Sequence, residues 1–118
     1  MKAKELLERY KAGERDFSRV DLSKENLSGA VWVGDEFGGE NDYPVGGSSL
    51  RGINLSQANL ARVRLDGVDL RGANLRGANL EMAFMARANL TDANLSEAIL
   101  FQNSLHHALF KRTQCKKA

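Results

Sequence analysis

The sequence predicts an all-β solenoid, and three observations carry that prediction. From Ser48 to Arg112 a large apolar residue falls on nearly every fifth position: Leu50, Leu55, Leu60, Leu65, Leu70, Leu75, Leu80, Met85, Leu90, Leu95, Leu100, Leu105 and Phe110. Two positions before each stands a small or slim residue, such as Ser48, Ile53, Ala58, Val63, Ala73, Ala83 and Ala93. Between the two sits mostly Asn or Asp, as at Asn54, Asn59, Asp69, Asn74, Asn79, Asn89 and Asn94.

A five-residue period suits neither regular element. Five residues advance an α-helix by about 500°, so successive leucines would sit ~140° apart around it. On a flat strand an odd period throws alternate leucines onto opposite faces. Both conflicts vanish if the chain makes short extended pieces and turns a corner once per pentad. Each small residue and the Leu after it then point inward, the Asn or Asp between them points out, and the last two residues form the bend. Gly52, Gly67, Gly72 and Gly77 fall at the second bend position, where a positive φ is inexpensive for glycine. Repetition at a fixed period marks a solenoid whose layers bury their interior against their neighbours.

The tandem seen as Ala73-Asn74-Leu75-Arg76-Gly77 and Ala93-Asn94-Leu95-Ser96-Glu97 closely resembles the pentapeptide-repeat proteins. The resemblance covers about two thirds of the chain. It implies a right-handed quadrilateral β-helix with four pentads per coil, residues twenty apart stacked, and about four to five coils here. Handedness and the square section come from the resemblance, whereas the spacing alone requires only a corner every five residues. The lead-in Glu5-Leu6-Leu7-Glu8-Arg9-Tyr10, followed by Gly13-Glu14-Arg15-Asp16-Phe17, resembles cyanobacterial members.

A single domain over residues 1–118 is the expectation, beginning with a short capping α-helix at 2–12. There Ala3, Leu6, Leu7 and Tyr10 make one apolar stripe, and Gly13 is a plausible terminator. Eleven residues are marginal as an isolated helix, so the stripe has to dock, and the open end of the solenoid is its natural partner. Residues 15–32 read as the first coil, with Phe17, Leu22, Leu27 and Trp32 keeping the beat. Arg15 and Glu25 break the small-residue rule at inward positions; either that coil is loose, or these side chains escape past the cap. The beat fails between Trp32 and Leu50, and residues 33–47 read as an inserted loop with five glycines, Pro44, Phe37, Tyr43 and four acids. Regular coils resume over 48–112, and 113–118 form a basic tail.

Candidate function lies in the departures from the pattern. Met82, Phe84 and Phe101 are large apolar residues at outward positions, and a twenty-residue coil brings them to one corner. An exposed cluster of that kind marks a protein-contact surface, unless the loop or a terminus folds over it. Phe37 and Tyr43 in the loop, and Leu109 and Phe110 near the C-terminal end, complete the candidate surface. The last coil presents unpaired strand edges, which either template a two-fold homodimer or are blunted by Lys111, Arg112, Lys116 and Lys117. Asp35, Glu36, Glu40 and Asp42 are oxygen donors for a hard cation, but lack the rhythm of a calcium loop, so no metal or other cofactor is expected.

Other classes find little support. His106 and His107 occupy adjacent bend positions and diverge, and Cys115 has no histidine beside it. An interior packed with Leu and Ala leaves no substrate cavity, so no enzyme is expected. Residues 48–112 carry eight basic and five acidic side chains, the wrong sign for a nucleic-acid mimic acting on a DNA topoisomerase, which is the alternative function. The basic excess is small and no aromatic interleaves Arg51, Arg71 and Arg76, which argues against direct nucleic-acid binding. No run is long and apolar enough for a membrane span, Met1–Glu5 lacks the apolar core of a signal peptide, and the lone Cys115 suits a reducing cytoplasm. The expectation is a non-enzymatic interaction or scaffolding module with an unknown protein partner.

Overall fold

The computed structural model describes residues 1–28 and 48–115, together with the backbone of 31–33 and 43–45. Parallel bridges between residues twenty apart run through it in four columns: Asn54–Asn74–Asn94–Gln114, Asn59–Asn79–Ile99, Arg64–Phe84–Ser104 and Ser49–Asp69–Asn89–Leu109. Asp16, Asp21 and Asn26 head the first three columns, bridging Asn54, Asn59 and Arg64. Four columns give the coil four sides, and one side is one pentad.

The pentad folds this way because its backbone is nearly all paired: in residues 54–58 every N–H, and every carbonyl but that of Gln57, has a partner among the described residues. Within a pentad, the Ala58 N–H donates to the Leu55 carbonyl at 3.1 Å, closing a tight turn. Its third residue, Gln57, has φ of 60°, as a type II turn requires. Between coils, the Leu55 N–H donates to the Asn74 carbonyl (2.8 Å), the Gln57 N–H to the Arg76 carbonyl (2.8 Å), and the Asn74 N–H returns to the Ile53 carbonyl (2.9 Å). The same three bonds recur side after side. The leucines and the small residues two before them fill the tube, from Phe17, Leu22 and Leu27 through Leu90 and Ala93.

One helix precedes the coils. α1 spans Ala3–Lys11 and buries Leu6 completely, with Ala3, Leu7 and Tyr10 also packed on the core. Its N-cap residue Lys2 offers no capping side chain. Glu25 supplies the missing acceptor, taking the Ala3 N–H on Oε1 at 2.7 Å. At the other end, Arg15 Nη1 donates to the Tyr10 carbonyl (2.8 Å) and lies 3.7 Å over the Tyr10 ring. The two oversized inward residues thus escape past the helix and grip its two ends, and the coil beneath them remains tight.

The first coil closes differently from the expected 15–32. Its fourth side is Ser49, which bridges Asp69, and the Ser48 N–H donates to the Ser28 carbonyl at 2.8 Å. The chain therefore leaves the coil after Ser28 and re-enters where it left. Asp16 and Asn54 are stacked neighbours although 38 positions apart, an excess of 18 over the regular period. Within the excursion, β1 (Val31–Val33) pairs antiparallel with β2 (Tyr43–Val45) in the register Trp32 opposite Pro44. Trp32 falls on the five-residue beat, yet its backbone bonds belong to this hairpin. The remainder of the 33–47 loop, with Asp35, Glu36, Phe37, Glu40 and Asp42, and Lys116 and Lys117 of the tail lie outside the described residues.

Candidate protein-contact surface

The outer wall is polar because the outward Asn and Asp side chains are engaged in their own bends. Asn54 Oδ1 accepts the Ser56 N–H at 3.0 Å, and Asn74, Asn79, Asn89 and Asn94 do the same two residues on. Asp16 and Asp21 each take both the N–H and the hydroxyl of the serine two residues later. For Asp16 the Ser18 hydroxyl, and for Asp21 the Ser23 N–H, is the largest influence holding the carboxylate below its ordinary pKa. Asp69 is lowered chiefly by hydrogen bonds from the Arg71 guanidinium (2.7–2.9 Å), and Asp92 by those from Arg112 (2.7–3.1 Å).

The pattern breaks at one corner. The Met82 N–H donates to the Phe101 carbonyl at 2.9 Å, which puts these two residues on successive coils at the same edge. Phe84 lies on the side that follows this corner, and Ile99 on the side that leads into it, one coil on. Phe84, Ile99 and Phe101 are 40, 51 and 63% exposed, while Met82 is half-buried between them. One edge of the patch is held by Arg64, whose guanidinium lies 4.8 Å from the Phe84 ring centre. Arg64 in turn donates twice to Oδ2 of Asp66, at 3.1 and 3.0 Å, and Asp66 is buried at the next corner along the chain.

Not every predicted contact residue joins this patch. Leu109 is exposed on the side of the coil opposite Ile99. Phe110 is an inward residue of the last described coil, exposed because less packs over it. Phe37 and the Tyr43 side chain lie outside the described residues. Ile99 belongs with the cluster by position. Among the described residues no group of three or more His, Cys, Asp or Glu side chains could hold a metal, and no helix is long and apolar enough to cross a membrane.

The repeat register can be compared with known proteins. The family model described as pentapeptide repeats matches residues 46–77 and 69–102, in eight copies. The crystal structure of a pentapeptide repeat protein from Nostoc PCC 7120 is 33% identical, superposes with a TM-score of 0.74, and is matched over 91% of this chain and 74% of that one. This chain belongs to the pentapeptide-repeat family. A pentapeptide repeat protein of the Arabidopsis thaliana thylakoid lumen shares the fold at 22% identity and a TM-score of 0.58, over 82% of this chain and 59% of its own. No match is found among curated proteins.

Within the pentapeptide-repeat pattern, the patch is built from two bend residues, Met82 and Phe101, and from two residues, Phe84 and Ile99, that stand in outward positions usually held by Asn. Phe84, Ile99 and Leu109 all stand where Asn or Asp stands one coil earlier or later in the same column, or two coils before. Sequence periodicity finds them. The twenty-residue period also sets Arg64 beside Phe84, but it does not show that Asp66 is buried and takes two hydrogen bonds from that arginine. A further departure, Asn103, sits inside the tube, where Nδ2 donates to the Leu80 carbonyl (3.1 Å) and contacts Met85 Sδ (3.4 Å). Its Oδ1 is buried and unpaired.

Proposed function

We propose that this pentapeptide-repeat protein is a non-enzymatic protein-interaction module: a short right-handed rod of four coils and the start of a fifth, capped by α1, that presents the Met82–Phe84–Ile99–Phe101 corner to a protein partner. The observation that supports this reading is the exposure of three large apolar side chains on adjacent coils. A packed solenoid wall holds them in place, so a partner need not order them on binding. Arg64, stacked on Phe84 and tied to Asp66, rigidifies the rim.

The test is affinity capture from cell extract, comparing the native chain with a Phe84→Ser/Phe101→Ser pair of unchanged thermal midpoint. Loss of the captured protein supports the reading, and an identical set of bound proteins defeats it. Mimicry of nucleic acid has less behind it than charge counting alone suggests. Of the five acids in the shaft, Asp66, Asp69, Asp92 and Glu97 are each ion-paired to an arginine. Little free negative charge is left along the rod, and no inhibition is expected in a gyrase supercoiling assay.

A further inference from the structure

The apolar corner continues toward the first coil as a line of cations. The Lys24 N–H donates to the Ala61 carbonyl, the Arg62 N–H to the Glu81 carbonyl and the Met82 N–H to the Phe101 carbonyl, each at 2.9 Å. Lys24, Arg62 and Met82 therefore stand one above another on successive coils, all with φ of 58–66°. Lys24 and Arg62 are exposed, and among the described residues neither is ion-paired. Arginines at other corners differ: Arg51, Arg71, Arg76 and Arg112 each have an acid within 4.0 Å. Arg64 and Arg87 add positive charge on the side that follows the line and at the corner beyond it. Of the acids nearby, Asp66 is buried against Arg64, Asp21 is hydrogen-bonded to Ser23, and Glu81 is half-buried beside Met82. Four cations thus face two accessible acids along this ridge, and Lys24, Arg62 and Arg64 lie to one side of the aromatic pair.

We infer that the ridge binds an acidic segment of protein chain with an apolar anchor: large apolar side chains on Phe84 and Phe101, and carboxylates on Arg62 and Lys24. The inference rests on this corner being the contact surface, and it adds the chemistry of what is bound. Charge complementarity sets the sign of the segment, because unpaired cations beside an apolar patch favour an acidic neighbour over a neutral or basic one. The coil spacing sets its length. Phe101 and Lys24 are three coils apart, ~14 Å at one strand spacing per coil, which about four residues of extended chain span. Single-stranded nucleic acid also seeks cations beside aromatic rings. Here, however, the Arg64 guanidinium lies 4.8 Å over the Phe84 ring, where a base would stack. Glu81 stands on the coil between Arg62 and Phe101, in the path of a phosphate chain.

Short random peptides displayed on phage and selected on the full-length chain test this, each recovered peptide then being titrated against the purified protein. The recovered peptides should carry Asp or Glu about four residues from a Phe, Leu or Trp. The charge reversal Lys24→Glu/Arg62→Glu, at unchanged thermal midpoint, should weaken them about tenfold, and Lys24→Gln/Arg62→Gln by less. Raising the salt to about 0.3 M should weaken them too. Lys111→Glu, at a different corner, should leave them bound as before. Peptides without acids, or an affinity indifferent to the charge reversal, overturn this inference; the contact surface itself stands if Phe84→Ser/Phe101→Ser still abolishes binding. Peptides indifferent to that serine pair, or none recovered at all, overturn both. Oligothymidine that displaces the peptides and binds more tightly than they do would give the ridge to nucleic acid instead.

Discussion

At the scale of single residues, each bend demands a left-handed residue at its second position. Glycine supplies it at Gly52, Gly67, Gly72 and Gly77, but Gln57, Arg62, Met82, Arg87 and Glu97 adopt the same conformation with φ of 58–64°. A side chain there costs roughly 1 kcal/mol relative to glycine. Gly72→Ala has free space for its Cβ, so it should lose about that much stability in urea titration. Gly77→Ala should lose about as much as Gly72→Ala, because its Cβ would meet only the end of the exposed Gln57 side chain, which can swing aside, and Gln57→Ala in the same chain should change the loss little.

The carboxylates make a second residue-scale prediction. Asp16, Asp21, Asp69 and Asp92 all have folded pKa values below the ordinary one. The stability they contribute is present above the unfolded carboxylate pKa and is lost as pH falls through the lowered folded values. The thermal midpoint should be flat near neutrality and decline below about pH 4. Asp16→Asn, which can still accept from Ser18, should weaken that decline.

At the scale of elements, the excursion is separable from the coil. Ser28 and Ser48 are already hydrogen-bonded neighbours, so deleting residues 30–47 removes 18 residues and restores the regular twenty-residue spacing between Asp16 and Asn54. The shortened chain should keep its thermal midpoint within a few degrees, measured by circular dichroism, because loop length contributes only logarithmically to closure entropy. A collapse of the first coil would show that the hairpin is integral to it. The boundary of this excursion was hard to read from the sequence for a specific reason. Trp32 is apolar, falls on the beat and follows a small residue at Ala30, so periodicity counts it as part of the coil. Only pairing shows that its strand belongs to Tyr43–Val45. The corners, by contrast, were legible, since Leu at every fifth place and glycine after it leave one way to keep all leucines inside. Arg15 and Glu25 were visible as anomalies, but their purpose depends on where α1 crosses the coil, which local sequence does not encode.

At the scale of the whole molecule, stability is a sum over neighbouring coils. Leu75 is fully buried between layers, whereas Leu105, in the last coil, is only partly so. Leu75→Ala should therefore cost ~2–5 kcal/mol, and Leu105→Ala distinctly less, by denaturant unfolding. Equal losses would mean that the terminal coil is as firmly bound as the middle. The contact surface was legible in part, because three apolar residues at outward positions betray a patch once the coil length is known. Its extension to Ile99, and the separation of Leu109 onto the far side, needed the columns themselves.

Those columns have a practical consequence. Because positions twenty apart lie one strand spacing, ~4.8 Å, along the rod, the exterior behaves as a ruled grid. A designer can set dyes, charges or crystal-nucleating groups at chosen multiples of that interval by counting along the primary structure.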